Sequence, residues 1–91
     1  SNEVLGWRVE FDPSALKSLR KIDRTWQQRI ISYLEEIGEL SDPRSRGKAL
    51  TADLVGLWRY RVGDYRIICQ LQDDLLVVQV IKIAHRRHVY D

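Results

Sequence analysis

His85, Arg86, Arg87, His88 and Tyr90 fall within six residues, directly after the apolar run 75–83. Two imidazoles, two guanidiniums and a phenol can together bind phosphate, transfer protons and stack on a nucleobase. A phosphodiester is the substrate this inventory suits, and RNA the preferred one. A second basic group precedes it. Arg59, Arg61 and Arg66 occur on alternating positions either side of Gly63-Asp64, and Arg44, Arg46 and Lys48 lie further upstream in a stretch without period.

These side chains need elements to carry them. Gly63-Asp64 is a two-residue hairpin signal between strands 57–62 and 65–72, and Asp73-Asp74 is a weaker one before a strand 75–83. The first turn places Val62 opposite Tyr65, Arg61 opposite Arg66 and Arg59 opposite Ile68. If the second turn also has two residues, Gln70 faces Val77, Ile68 faces Gln79 and Arg66 faces Ile81. Alternation then gives one face with Arg59, Arg61, Arg66, Gln70 and Gln79, with Ile68 and Ile81 among them. The other face carries Trp58, Tyr60, Val62, Tyr65, Ile67, Cys69, Leu71, Leu76, Val78 and Val80, a core face. Like charges directly opposite one another destabilise a sheet. Arg61 against Arg66 therefore points to an anion site, the alternatives being neutralisation by acidic residues from elsewhere or simple solvation. The end of the last strand should bring the basic tail beside this cluster.

The N-terminal half reads as helical. A short strand, 7–11, leads to Asp12-Pro13, an N-cap followed by proline at the first helical position. Ala15, Leu16, Leu19 and Ile22 form one apolar stripe. Asp23 caps a second helix whose buried face is Trp26, Ile30, Tyr33, Leu34 and Ile37, with Gly38 and Pro43 marking its end. The short connection suggests an antiparallel helical hairpin. Residues 41–56 read as a loop, its Arg44, Arg46 and Lys48 either solvated or contacting a substrate phosphate. The element order is β-α-α-β-β-β: an α+β domain, two helices packed on a mostly antiparallel sheet.

Composition bounds the function. The chain has 91 residues, 44% of them hydrophobic and 31% charged, which fits one ordinary globular domain. Ser1 and Asn2 read as a cloning remnant, leaving 3–91 as the domain. Cys69 stands alone, so no intramolecular disulfide forms, and its apolar strand setting predicts a buried thiol. No run approaches the roughly 20 apolar residues of a membrane span and no signal peptide is evident, so a cytoplasmic location is expected. A net charge of +2 is too small to establish nucleic-acid binding; the distribution of arginine carries that argument. No spacing of Cys, His and carboxylates suggests a metal, and no cofactor is expected.

The sequence 57–66, Leu-Trp-Arg-Tyr-Arg-Val-Gly-Asp-Tyr-Arg, resembles the central hairpin of RelE-type toxins of the RelE/ParE superfamily. The ending His85-Arg86-Arg87-His88-Val89-Tyr90 resembles their catalytic C-terminal segment, and Phe11-Asp12-Pro13 with Ala15, Leu16 and Leu19 matches their N-terminal half more loosely. The resemblance implies a microbial-ribonuclease-like fold and an mRNA interferase, a metal-independent endoribonuclease that cuts mRNA in the ribosomal A site and is restrained by a RelB-like antitoxin. Position by position, Arg59 and Arg61 match two basic residues of the first hairpin strand, Lys in the best-known member. Arg66 matches a phosphate-contacting Arg, Arg86 the C-terminal Arg, and Tyr90 the aromatic residue that stacks on or orients the base. Arg44, Arg46, Lys48 and Arg87 are expected to contact RNA phosphates.

Arginine in place of lysine matters, because guanidinium stays protonated where an amine can be made to lose its proton. His85 is the candidate proton-transfer group, with an imidazole satisfied by the strand backbone as the alternative. Two rival functions share the resemblance. One is a ParE-like gyrase poison, although such relatives generally lack the catalytic tail. The other is a catalytically inactive homologue that binds RNA or the ribosome.

Overall fold

The computed structural model describes residues 6–50 and 56–86. Strand β1 (Arg8–Phe11) leads into helix α1 (Pro13–Arg20) and helix α2 (Arg24–Glu39), followed by a 3-10 turn at Pro43–Ser45. Four strands follow among the described residues: β2 (Lys48–Ala49), β3 (Leu57–Val62), β4 (Tyr65–Gln72) and β5 (Val77–His85). With β1 they form one five-stranded sheet in the order β1-β5-β4-β3-β2, parallel between β1 and β5 and antiparallel elsewhere. This is the expected α+β architecture with one strand added at the edge. No helix among the described residues is long and apolar enough to cross a membrane.

The helix starts follow local chemistry. Pro13 occupies the first turn of α1, where an N–H has no intrahelical partner. Asp12 precedes it without a side-chain cap; its carboxylate accepts from Gln79 Nε2 at 2.6 Å and ties the start of α1 to β5. Asp23 does cap α2, accepting from the Thr25 N–H at 3.1 Å. Helix α2 continues through Gly38, whose carbonyl accepts the Trp7 N–H at 2.7 Å. Both helices spend their closest approaches on the sheet, α1 on β5 and β1, α2 on β1 and β3.

The core lies between these layers. Ala15, Leu19, Ile30, Leu34 and Ile37 from the helices meet Tyr60, Ile67, Cys69, Leu71, Val78, Val80 and Ile83 from the sheet. Trp7, Trp58, Val62 and Tyr65 pack at its margin. The Tyr60 hydroxyl, fully buried, donates to the Pro43 carbonyl at 2.7 Å, and burial pushes its pKa up. Cys69 is buried, and loss of solvent alone pushes its thiol up to about 12.

Three expectations change. Residues 41–56 are not all loop: Lys48 and Ala49 pair with Arg59 and Trp58 as a two-residue edge strand too short for any periodicity to register. The second turn has four residues, Asp73 to Leu76, because Gln72 pairs with Val77. A two-residue turn there would need positive φ at a glycine or asparagine, and Asp73-Asp74 offers neither. Leu76 takes the left-handed conformation instead (φ 54°), and its carbonyl accepts the Arg8 N–H at 2.8 Å, which anchors β1. Leu76 is therefore an exposed turn residue, not a core residue.

The third change reorients the end of the chain. Gln70 faces Gln79 and Cys69 faces Val80, but Ile68 then faces Lys82, leaving Ile81 as an extra residue in β5. Such a bulge shifts the alternation of side chains by one position. Beyond it Ile67 faces Ile83, Arg66 faces Ala84 and Tyr65 faces His85. Ile83 thereby joins the core, and His85 turns to the same side.

Candidate nucleic-acid interface

The Gly63-Asp64 turn organises the site. Gly63 has φ +58° and Asp64 is not in the left-handed region, the arrangement of a II′ turn. The Trp26 ring lies against Gly63 so closely that no Cβ fits there. The turn fixes Val62 opposite Tyr65, Arg61 opposite Arg66 and Arg59 opposite Ile68, as the sequence predicts.

Arg59, Arg61 and Arg66 line an open hollow of about 310 Å³ together with Tyr33 of α2, Gly47 and Lys48. Strand β2 covers β3 only as far as Arg59, so the hollow opens where β3 runs on uncovered. Gly47, at φ +77°, lets the chain pass against the Arg59 carbonyl, where a Cβ would collide. Arg59 and Arg61 make no ion pair among the described residues; the Arg61 Nε donates to the Gly63 carbonyl at 3.2 Å.

Arg86 reaches the same end of the sheet. Its backbone N–H donates to the Asp64 carbonyl at 2.6 Å, and its guanidinium stands 3.8 Å from the Asp64 carboxylate. With Arg61, Asp64, Tyr65 and Arg66 it lines a narrow crevice adjoining the larger hollow. Of the tail, Arg86 therefore meets the hairpin as expected, although with Ala84 rather than Ile81 opposite Arg66. The grouping can accept a phosphate through several guanidiniums, the geometry in which arginine binds oxyanions best.

Other basic residues are engaged elsewhere. Arg44 forms a two-pronged pair with Asp73 at 2.9 and 3.0 Å, which raises the guanidinium pKa and lowers that of the carboxylate. Arg46 bonds Glu36 at 2.7 Å, which raises its pKa, and lies 5.8 Å from the Tyr33 ring centre. Of the three basic residues upstream of β3, only Lys48 is brought to the hollow. Arg44 and Arg46 hold the 3-10 segment against the β4–β5 turn and α2.

His85 is not brought to the arginines. Its ring packs edge-on against Tyr65, 5.1 Å between centres at 88°, and borders a different hollow with Ser18, Lys21, Ile22, Asp23 and Ile83. That hollow lies at the end of α1, across the sheet from the guanidiniums. Arg87, His88 and Tyr90 lie outside the described residues. Sequence reasoning missed Asp64 and Tyr33 as site residues. Asp64 read only as a turn former, and Tyr33 as a core residue of α2. Among the described residues, no cluster of three His, Cys, Asp or Glu side chains could hold a metal ion.

The comparisons with known proteins bear on this geometry. Residues 9–90 match the family model described as ParE toxin of type II toxin-antitoxin system, parDE. Toxin RelG of Mycobacterium tuberculosis is 30% identical over 87 residues, covering 92% of this chain and 95% of the relative. Among solved structures, the toxin–antitoxin complex RelBE2 from M. tuberculosis aligns with a TM-score of 0.81 at 22% identity, over 94% of this chain and 98% of that one. A double arginine-to-alanine mutant of E. coli toxin RelE in the free state aligns at 0.77 and 25% identity, over 93% and 88%.

Proposed function

The chain belongs to the ParE toxin family of type II toxin–antitoxin systems, within the RelE/ParE superfamily, and from that premise we propose that it is a metal-independent endoribonuclease that cuts mRNA in the ribosomal A site. The observation that carries the reading is the convergence of Arg61, Arg66 and Arg86 at the hairpin turn. Like charges set opposite one another are costly for the sheet, and a bound phosphodiester removes that cost.

In this reaction the 2′-hydroxyl adjacent to the scissile phosphate loses its proton and its oxygen bonds to phosphorus. The bond from phosphorus to the 5′-oxygen breaks, and that oxygen gains a proton, leaving a 2′,3′-cyclic phosphate and a free 5′-hydroxyl. Arg61, Arg66 and Arg86 stabilise the charge that builds on the phosphoryl oxygens, a contribution typically worth about 10²–10³ in rate per donor. Arg59 and Lys48 hold the flanking backbone in the hollow, Arg87 extends the phosphate contacts along the tail, and Tyr90 stacks on the base. Arginine at both hairpin positions shifts the weight of catalysis toward orientation and charge.

A RelB-like antitoxin is the expected partner, by analogy with the solved toxin–antitoxin complex, and the reaction belongs in the bacterial cytoplasm, where ribosomes are.

The test is cleavage of a defined mRNA on programmed ribosomes with an empty A site, beside naked mRNA and an Arg86→Ala, Tyr90→Ala double variant. Cuts on ribosomes alone, lost in the double variant, support the reading. Intact mRNA throughout, with folded protein, sinks it. The match to the ParE family model favours gyrase poisoning as the second reading, and supercoiling by gyrase in the presence of the toxin then decides it.

A further inference from the structure

Two neighbours in sequence, His85 and Arg86, fall on opposite sides of the sheet, and the bulge at Ile81 sets which side each takes. Arg86 lies at the hairpin turn with Arg61 and Arg66, while His85 points to the helix side. There it ends a continuous stack. The Arg29 guanidinium sits 4.8 Å from the Trp26 ring centre, Trp26 is 5.8 Å from Tyr65, and Tyr65 is 5.1 Å from His85. Trp26 also covers Gly63. One aromatic column thus touches the turn whose Asp64 carbonyl receives the Arg86 N–H and the residue immediately before Arg86.

We propose that Tyr65 and His85 are positioning residues, whose edge-on ring packing fixes the end of β5 so that Arg86 enters the arginine crevice. His85 acts through its shape and not through its proton. Edge-to-face rings are attracted because the positive edge of one meets the negative face of the other, and Phe offers this geometry as well as His. A guanidinium displaced by about 1 Å costs roughly 10²-fold in rate. The role in cleavage rests on the proposed reaction; the docking of Arg86 does not.

The experiment compares wild type, His85→Ala and His85→Phe by two readouts. Hydrogen exchange of the Arg86 amide reports its bond to Asp64, with the Ile67 amide as an internal measure of core integrity. Single-turnover cleavage on programmed ribosomes, followed against pH, reports the reaction. His85→Phe should keep Arg86 protection and the wild-type pH profile, with a rate within about threefold. His85→Ala should lose Arg86 protection about three- to tenfold and cleavage about 10- to 100-fold, with Ile67 unchanged. The proposal is overturned if His85→Phe loses cleavage while Arg86 stays protected, since the imidazole itself would then be required. It is equally overturned if folded His85→Ala keeps full Arg86 protection, or if His85→Phe loses it. Should His85→Ala also lose Ile67 protection, His85→Phe decides alone. Absence of cleavage by wild type would count against the ribonuclease reading, and the exchange readout would still decide whether the rings dock Arg86.

Discussion

Before β2, Arg44 and Arg46 each meet a carboxylate and lie near an aromatic ring, whereas across the β3–β4 hairpin Arg61 meets Arg66. The residue type is the same and the exposure broadly similar. The first pair satisfies its charge inside the domain and fastens a short segment to the sheet and α2. The second pair sets two guanidiniums opposite each other on neighbouring strands, beside Arg86. Arginine with a fitted carboxylate serves the fold. Arginine set directly opposite arginine is costly for a sheet, a cost that the proposed bound phosphodiester would offset.

The sharpest way to break this comparison is to exchange the two sets. Arg61→Ala or Arg66→Ala should slow ribosome-dependent cleavage by about 10²–10³-fold, while an Arg44→Ala, Arg46→Ala double variant stays within about threefold. Equal losses in a single-turnover assay would erase the distinction.

A smaller effect concerns the turn that sets the pair. Gly63→Ala forces a Cβ toward the Trp26 ring at a left-handed φ, and should lower stability by about 1–3 kcal/mol, read from urea unfolding. An unchanged midpoint would mean that the hairpin does not depend on this turn.

Smaller again is the cost of the like-charge contact itself. Arg61→Thr should raise stability by about 0.2–1 kcal/mol at low salt, and millimolar inorganic phosphate should narrow that gap by stabilising the wild type. A variant less stable than wild type would show that Arg61 supports the sheet.

The least effect belongs to the exposed Arg44–Asp73 pair. Asp73 has its pKa lowered in the folded state, chiefly by the Arg44 hydrogen bonds. Its contribution is therefore present above the ordinary carboxylate range and lost as pH falls through the lowered folded value. The difference between wild type and Asp73→Asn should shrink toward acid pH; a difference that grew would reverse the assignment.

Much of this was legible in the chain. Alternation gave the core face of β3 and β4, Gly63-Asp64 gave the register of Arg61 against Arg66, and Asp12-Pro13 and Asp23 gave the starts of both helices. Local chemistry sufficed because each depends on side chains a few residues apart. The fates of Arg44 and Arg46 were not legible, since their carboxylates lie at Asp73 and Glu36, reached only through folding. Nor was the two-residue strand β2, which exists because β3 presents an edge to it.

The sequence by itself determined the hairpin register that sets Arg61 opposite Arg66 and keeps Arg59 on their face. Only the tertiary structure decided the sides on which His85 and Arg86 are presented. The parallel pairing of β1 with Val77–Val80, the four-residue turn and the bulge at Ile81 together set that phase. One extra residue in a strand exchanges the faces of everything after it. That is why Ile83 joins the core, His85 meets Tyr65, and Arg86 is left to face the arginines.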